Sequence, residues 1–183
     1  MPIVPHKLPN YQPNPATEIL ILGTVTPDVA GAPDFFYGRP RNFLWHLLPQ
    51  AYGLPPLKDE PLSSKQAFMA KYKIDFADVI KSIDLPDGLE AEAEDDTADA
   101  YVSEWKDVIT IIDALPHLKA VYFTRKTFNG LPNVRAQITP LAQHCRQKGI
   151  RFCKLETPAR HYSDTKLQQW KDTIVAQTTC LRP

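Results

Sequence analysis

The sequence predicts an α/β fold, a three-layer α/β/α sandwich with a short, mostly parallel central sheet. Three short segments predict strands, and the first of them is a continuous apolar run closed by glycine, which is typical of a strand that is buried on both faces. The three segments lie at residues 18–23, 120–124 and 150–155. Stretches with apolar residues at helical spacing separate these segments. Because strands that alternate with helices pair in parallel, this order predicts one sheet with helices on both faces.

Helices are expected wherever apolar residues recur at helical spacing, namely over residues 43–52, 63–72, 101–115, 134–145 and 163–174. The expected capping residues are Asn42, Ser63 with Gln66 in a capping-box pattern, and Ser163. Pro140 is expected to interrupt or kink the fourth helix. Residues 74–83 predict an irregular strand, and residues 84–96 predict an acidic loop.

The length of the chain, 183 residues with 43% apolar residues, predicts a single domain with its own core. Residues 1–16 contain five prolines and are expected to form an extended arm of that domain. The longest apolar run, residues 19–22, is far too short to span a bilayer, and the N-terminus lacks the apolar stretch of a signal peptide. We therefore expect a cytoplasmic protein with no membrane partner. A monomer is the default expectation, because no sequence pattern bears on the oligomeric state.

Cysteine usage argues against a metal centre. The three cysteines, Cys145, Cys153 and Cys180, are far apart, and the sequence has no C-x-x-C pair. A four-cysteine zinc or iron–sulfur site is therefore impossible within one chain. A site of mixed histidine and cysteine ligands would lack the usual close ligand pairs. We expect buried thiols in a reducing compartment, with neither metal nor cofactor.

The charged residues cancel in number but are unevenly placed along the chain. Residues 84–107 hold ten acidic residues and one base, whereas residues 119–171 hold eleven bases and two acidic residues. Such asymmetry can give a neutral protein one basic face that attracts phosphates. The alternative is a set of solvated helix faces whose charges cancel in three dimensions.

The most informative segment, residues 19–48, runs from an apolar strand through a polar turn into a loop and a helix. The loop carries three consecutive aromatic residues, Phe35-Phe36-Tyr37, and the helix starts at Arg41-Asn42. Open α/β sheets bind their ligands at turns after the carboxyl ends of strands. Aromatic rings beside an asparagine and two arginines suggest a flat, polar ligand such as a nucleobase.

This segment resembles the uracil-DNA glycosylase superfamily. Members have a strand, a Gly/Pro turn, an aromatic loop and an N-x-x-W helix start, which here are Ile19–Gly23, Gly23–Pro27, Phe35–Tyr37 and Asn42–Trp45. The run FFYGRPRNFLW is most similar to the YY-x-x-PRN-x-FW pattern of the mismatch-specific and hypoxanthine-type branches. The resemblance implies that superfamily's fold and a DNA-repair glycosylase that works without metal or cofactor. Its substrate would be a deaminated base, uracil or hypoxanthine, flipped out of DNA.

The resemblance implies roles for residues of the first motif. Asn42 would be the catalytic or water-positioning residue, and this role can coexist with its alternative, a plain helix cap. Phe36 or Tyr37 would stack on the flipped base, while the rest of the aromatic run packs in the core. Thr24 and Thr26 would contact the base from positions where many members have Asn, Asp, Glu or Gln.

Two aspartates are further candidates for the site. Asp28 could act as the catalytic base, although a turn-capping role fits its position after Pro27 better. Asp78 lies in the apolar stretch FADVI, where a carboxylate must be paired or face a cavity. We expect Asp78 either to contact the base or to cap a helix or turn.

The second motif of the superfamily follows the last strand, and residues 155–163 occupy that position here. Arg160 or Tyr162 would fill the gap that a flipped base leaves in the duplex. His161 would meet a phosphate or the leaving base, with an exposed loop position as the alternative.

Four more basic residues are expected near strand and loop ends that face the site: Arg39, Arg41, Arg125 and Lys126. Phosphate contacts are the functional interpretation, and surface solubility is the alternative.

Two other functions compete with base excision. A glycosylase-fold protein with altered chemistry would bind nucleic acid or a nucleobase-like ligand without cleaving it, as the Thr24 and Thr26 departures suggest. An unrelated α/β enzyme could use the same strand-end crevice, but the sequence lacks the G-x-S-x-G pattern of a serine nucleophile.

Overall fold

The computed structural model describes residues 3–86, 88 and 95–177 of the chain. Seven strands form two sheets in this part of the chain. The strands are β1 Ile3–Pro5, β2 Ile19–Gly23, β3 Ile74–Asp78, β4 Ile80–Asp84, β5 Val102–Trp105, β6 Ala120–Phe123 and β7 Arg151–Lys154. The helices are α1 Leu44–Ala51, α2 Leu62–Tyr72, α3 Asp95–Ala100, α4 Val108–Asp113, α5 Pro132–Gln147 and α6 Asp164–Trp170, the last continuing as a π-helical turn at Lys171–Val175.

A four-stranded parallel sheet with the order β3-β2-β6-β7 forms the centre of the fold. Strand β2 is apolar because both of its faces are buried: Leu20 and Leu22 pack into one core, and Ile21 packs into the other. Helices α3, α4 and α5 contribute to the first core, whereas α1, α2 and α6 contribute to the second. The predicted α/β sandwich with a parallel sheet is therefore confirmed.

A second, antiparallel sheet with the order β1-β4-β5 has no clear signal in the sequence. Strand β1 comes from the proline-rich arm and pairs with β4, with Ile3 opposite Asp84. Pro5 is tolerated because β1 is an edge strand, where a missing backbone N–H breaks no ladder. Val79 separates β3 from β4, so the irregular strand expected over residues 74–83 is two strands that belong to different sheets.

The helix expected over residues 101–115 is wrong in its first half. Val102–Trp105 pairs with β4 as strand β5, and only Val108–Asp113 is helical. The side chain of Asp107 caps α4 by accepting a hydrogen bond from the backbone N–H of Thr110 at 3.0 Å. Strand β5 and helix α4 both place apolar residues in the same core. Their combined spacing imitates the period of one long helix.

The predicted caps differ in outcome. Ser163 caps α6 as predicted. The prediction that Asn42 is the N-cap of α1 is wrong, since the N-cap is Phe43, which has no side-chain cap. Oδ1 of Asn42 nevertheless accepts a hydrogen bond from the backbone N–H of Leu44 at 3.0 Å, so its side chain supports the start of α1. The capping box at Ser63 is wrong, since α2 already begins at Leu62 and has no side-chain cap.

The cysteines are only partly described. Cys145 is a buried free thiol whose pKa burial raises to about 11. Cys153 is disulfide-bonded, so the expectation of reduced thiols is wrong there. Cys180 lies outside the described residues.

Residues 87 and 89–94 of the predicted acidic loop also lie outside the described residues, and its last residues begin α3. None of the described helices is both long and apolar enough to cross a membrane.

Candidate active site

A cavity of about 950 Å³ lies at the carboxyl end of the parallel sheet. Its walls come from residues 23–26 at the end of β2, Asp78 at the end of β3, residues 124–127 after β6, residues 156–160 after β7, and the loop residues 37–42. Small-molecule sites typically measure about 300–1,000 Å³. The cavity therefore has the size of a ligand site at the place where open parallel sheets bind ligands.

Asp78 forms the floor of this pocket and is 2% exposed. Its Oδ2 accepts two hydrogen bonds, one from the Thr26 hydroxyl at 2.7 Å and one at 2.9 Å from Nε2 of His6. A buried carboxylate needs such donors because burial removes its hydration. Three segments that are distant in sequence thus meet at one carboxylate.

Gly23 is required where β2 ends. A Cβ atom at this position would lie 2.2 Å from Oδ1 of Asp78 and 2.8 Å from the hydroxyl oxygen of Tyr37. Both distances are too short for any side chain. The absence of a side chain at Gly23 therefore lets the carboxylate and the phenol approach the strand end from the pocket side.

Tyr37 is the aromatic residue of the FFY run that lines the pocket. Its φ of 58° lies in the left-handed region, which disfavours a bulky residue and commonly marks functional sites. The hydroxyl lies 3.3 Å from Oγ1 of Thr124, and the ring packs on Phe76 with centroids 5.5 Å apart. Burial raises the pKa of the Tyr37 hydroxyl well above its usual value, and the charge of Asp78 adds to this, so Tyr37 remains a neutral phenol.

Asn42 joins the first motif to the loop after β7. It forms a backbone bridge with Ala159, and the backbone N–H of Phe43 donates to the carbonyl of Pro158 at 2.8 Å. Because the backbone N–H of Leu44 can only donate, the amide atom that it meets must be Oδ1 of Asn42. The other end of this amide is the donor Nδ2.

The loop after β7 is held from below by Lys166, which is 4% exposed. Its Nζ donates to the carbonyls of His161 at 2.8 Å and Ala159 at 3.2 Å, and burial lowers the pKa of the ammonium. Between these carbonyls, Arg160 has a φ of 77°, a second left-handed residue at the pocket. These contacts hold the loop in a shape in which Arg160 lines the cavity.

Acidic partners offset part of the positive charge at the pocket. Arg125 pairs with Asp95, and Nζ of Lys126 lies 3.4 Å from Glu156. Asp95 and Glu156 line the cavity as well. The charge asymmetry of the sequence is thus partly cancelled in three dimensions.

Most of the predicted site residues meet at this pocket. Those that line it are Thr24, Thr26, Tyr37, Arg39, Arg41, Asn42, Asp78, Arg125, Lys126 and Arg160. Their chemical roles stay predictions.

Four predicted residues lie elsewhere. Phe36 is 1% exposed and packs in the core against Phe76, because the loop turns only Tyr37 toward the pocket. Asp28 is exposed outside the cavity lining and pairs with Lys7 at 3.0 Å.

The other two belong to the loop after β7. His161 is exposed and contributes its backbone carbonyl to Lys166. Tyr162 packs on the ring of His46 with centroids 6.2 Å apart. Neither His161 nor Tyr162 lines the cavity. The pocket is therefore lined by residues 156–160 of this loop instead.

Sequence reasoning missed three residues that shape the pocket. Thr124 follows an apolar strand, a signal of the kind that identified Thr24. Lys166 occurs in an amphipathic helix, where a lysine is typically on the surface. His6 occurs in the proline-rich arm with no pattern around it, so nothing in the sequence links it to Asp78.

Among the described residues, no group of three His, Cys, Asp or Glu side chains could hold a metal ion. No protein-family model matches the chain, and no curated protein sequence matches it. Among solved structures, the chain is similar to a protein of Methanosarcina acetivorans, studied by solution NMR and provisionally assigned as a uracil DNA glycosylase. The TM-score is 0.62 at 22% sequence identity, over 87% of this chain and 89% of that chain. The two chains share a fold.

Proposed function

We propose that this protein is a DNA glycosylase that hydrolyses the N-glycosidic bond of a deaminated base, uracil or hypoxanthine, flipped out of DNA. The observation that carries the proposal is the grouping of a buried carboxylate, Asp78, with the donors of Asn42 and Tyr37 in one pocket at the strand ends. The shared fold and the motif resemblance agree with it.

The donors suit the leaving base. Breaking the glycosidic bond leaves negative charge on the base, whose carbonyl oxygens then bind donors more strongly. Asn42 and Tyr37 line the pocket, and each carries a donor, Nδ2 of the amide and the neutral phenol hydroxyl. Because they would bind the departing anion more tightly than the intact nucleotide, they would lower the barrier to excision.

The carboxylate suits the sugar and the attacking water. A cationic, oxocarbenium-like sugar is stabilised by a nearby anion, whereas the departing base anion is repelled by one. We therefore assign Asp78 to the sugar and the water rather than to the base. Asp78 would then be the general base that activates the water, a role considered above for Asp28. Asp28 does not fit this role, because it lies outside the cavity lining.

The remaining pocket residues suit a flipped nucleotide. The ring of Tyr37 offers a stacking face, a contact worth about 1–3 kcal/mol per base. Arg39, Arg41 and Arg160 lie at the pocket and can meet phosphates. Arg160 is better placed than Tyr162 to fill the gap in the duplex, because only Arg160 lines the cavity.

The test is an excision assay with single- and double-stranded oligonucleotides that carry uracil, hypoxanthine or only normal bases. With the protein in excess, we expect abasic sites at the deaminated base, detected as strand breaks after alkali. Asp78→Asn should lower the rate by about 10²–10³-fold, the scale of losing one electrostatic group in a site. Asp28→Asn is the matched control and should keep the wild-type rate.

Absence of abasic product with every substrate would reject excision. One observation favours the alternative of a protein that binds without cleaving: Oδ1 of Asn42 already accepts from Leu44, which leaves one of its two lone pairs to orient a water. Tight binding of a uracil- or hypoxanthine-containing strand without product would establish that alternative.

A further inference from the structure

The proline-rich arm places a buried histidine beneath the pocket. His6 is 1% exposed, and its Nε2 lies 2.9 Å from Oδ2 of Asp78. Backbone hydrogen bonds fix the arm there, since His6 N–H donates to the Lys81 carbonyl at 2.9 Å and Lys7 N–H donates to the Thr26 carbonyl at 2.7 Å. The arm is therefore inserted between strand β4 and the turn that carries Thr26.

The hydrogen bonds of His6 define its tautomer. Nδ1 lies 2.9 Å from the backbone nitrogen of Leu8, whose N–H can only donate. Nδ1 must therefore be the unprotonated acceptor, and the ring proton lies on Nε2. It follows that His6 donates to Asp78 rather than accepting from it.

This donation restricts the orientation of the carboxylate. Oδ2 receives both side-chain hydrogen bonds, from His6 and from the Thr26 hydroxyl. Oδ1 lies on the other side, beside Gly23 and the Tyr37 hydroxyl, where the backbone of Gly23 leaves room for it. Without a donor at Nε2, only the Thr26 hydroxyl would restrain rotation of the carboxylate about its Cβ–Cγ bond.

We propose that His6 is a positioning residue for Asp78. The Nε2–H group of His6 holds Oδ2 of the carboxylate and so turns Oδ1 toward the pocket. The consequence for excision rests on the proposed function, whereas the orientation itself does not. A buried donor that fixes the orientation of a reacting group typically contributes about 10–100-fold to activity, as outer-shell partners of metal ligands do.

Two substitutions separate the two ring nitrogens. His6→Gln can place an amide N–H near the position of Nε2, which keeps the donor to Asp78. His6→Asn is shorter and reaches only the position of Nδ1, so it can accept from Leu8 but cannot reach Asp78. His117→Asn serves as the control, because His117 is exposed.

We expect His6→Asn to lower the single-turnover excision rate by about 10–100-fold, and His6→Gln to recover most of that loss. Thermal unfolding of both variants is measured in parallel. A merely structural histidine would lower the melting temperature of both variants without this difference in rate. Equal rates for His6→Asn and His6→Gln in folded protein would overturn the role of His6 while leaving the proposed function intact.

A second measurement is independent of excision. Long-range ¹H–¹⁵N spectra of the full chain with ¹⁵N-labelled histidine report the protonation of each ring nitrogen at pH 7, and the His6 signals are those that His6→Gln removes. We expect a proton on Nε2 and none on Nδ1. A proton on Nδ1, with or without one on Nε2, would overturn the inference, even if the wild-type protein excises no base.

Discussion

The two sheets of this protein differ in how their sequences encode them. In the parallel sheet, β2 and β6 are continuous apolar runs that are recognisable in the sequence, whereas β7 carries Arg151 and Lys154 at its ends and β3 carries Asp75 and Asp78. The antiparallel sheet joins β1 from the arm, β4 from the middle of the chain and β5 from an apparent helix. Both sheets contribute to one carboxylate, since Asp78 ends β3 and His6 follows β1. A site can thus combine a part that local pattern encodes with a part that only long-range pairing encodes.

Gly23→Ala should have the largest effect, because Gly23 lies at the strand end where Asp78 of the parallel sheet meets His6 of the arm. The new methyl group would lie 2.2 Å from Oδ1 of Asp78 and must displace it. We expect excision to fall by at least about 10²-fold and the free energy of unfolding by about 1–3 kcal/mol.

Gly53→Ala is the control for that substitution. Gly53 has a φ of 75° and open space around its Cβ position, so only backbone strain of about 1 kcal/mol is expected, with the excision rate unchanged. Equal excision rates in both variants would show that the close approach at Gly23 is not needed for activity.

Asn42 tests the first motif alone, with the arm left intact. Asn42→Ala and Asn42→Asp should each lower excision by about 10²-fold, because both remove the Nδ2 donor. Only Asn42→Ala should also lower the free energy of unfolding, by about 1 kcal/mol, because aspartate still accepts from the N–H of Leu44. Excision rates report the donor role of Nδ2, and chemical denaturation reports the support of the α1 start. A wild-type excision rate in Asn42→Asp would mean that Asn42 has only the second role.

Val4 and Ile3 test whether β1 is part of the folded core. Val4 is 7% exposed and packs in the core, whereas its neighbour Ile3 is 67% exposed. Val4→Ala should lower the free energy of unfolding by about 1–2 kcal/mol, and Ile3→Ala by less than about 0.5 kcal/mol. Denaturant titration of both variants checks this. Equal, small effects would mean that the arm docks too weakly to hold His6.

Glu18 gives the smallest effect and concerns the opposite end of the parallel sheet. Hydrogen bonds from Lys119 first and then Lys73 lower the pKa of this carboxyl to about 2. A carboxyl whose pKa is lower in the folded state adds stability at pH values above its unfolded pKa, and that stability is lost as the pH falls toward 2. Glu18→Gln should therefore lose less stability than the wild type over pH 4.5 to 2. Parallel pH profiles of unfolding for the variant and the wild type would contradict this. The difference is expected to be small because Lys73 and Lys119 are exposed to solvent.

The sequence predicts β2 and β6 of the parallel sheet well because burial on both faces leaves a local pattern of apolar runs. It misplaces β5 because Trp105 and Ile112 point into the same core from different elements, which imitates a helical period. It does not reveal β1, since a three-residue edge strand in a proline-rich arm has almost no pattern.

The candidate site follows the same division. Asn42, Thr24 and Thr26 were identifiable because they lie within one contiguous motif, and the structure places them at one pocket. The aromatic run could not reveal that Tyr37 rather than Phe36 faces the pocket, since that depends on the left-handed backbone at Tyr37. His6 could not be linked to Asp78, because their contact spans 72 residues and depends on the pairing of β1 with β4.

The left-handed backbones at Tyr37 and Arg160 have a consequence for engineering this protein. A stabilisation campaign would normally replace such residues with glycine, which relieves strain of about 1–3 kcal/mol at each position. At these two positions it would also delete a pocket wall and a pocket cation. Under the proposed function, thermostability and ligand recognition are therefore opposed at Tyr37 and Arg160, and selection for heat resistance alone would be expected to yield a more stable protein that binds its ligand less well.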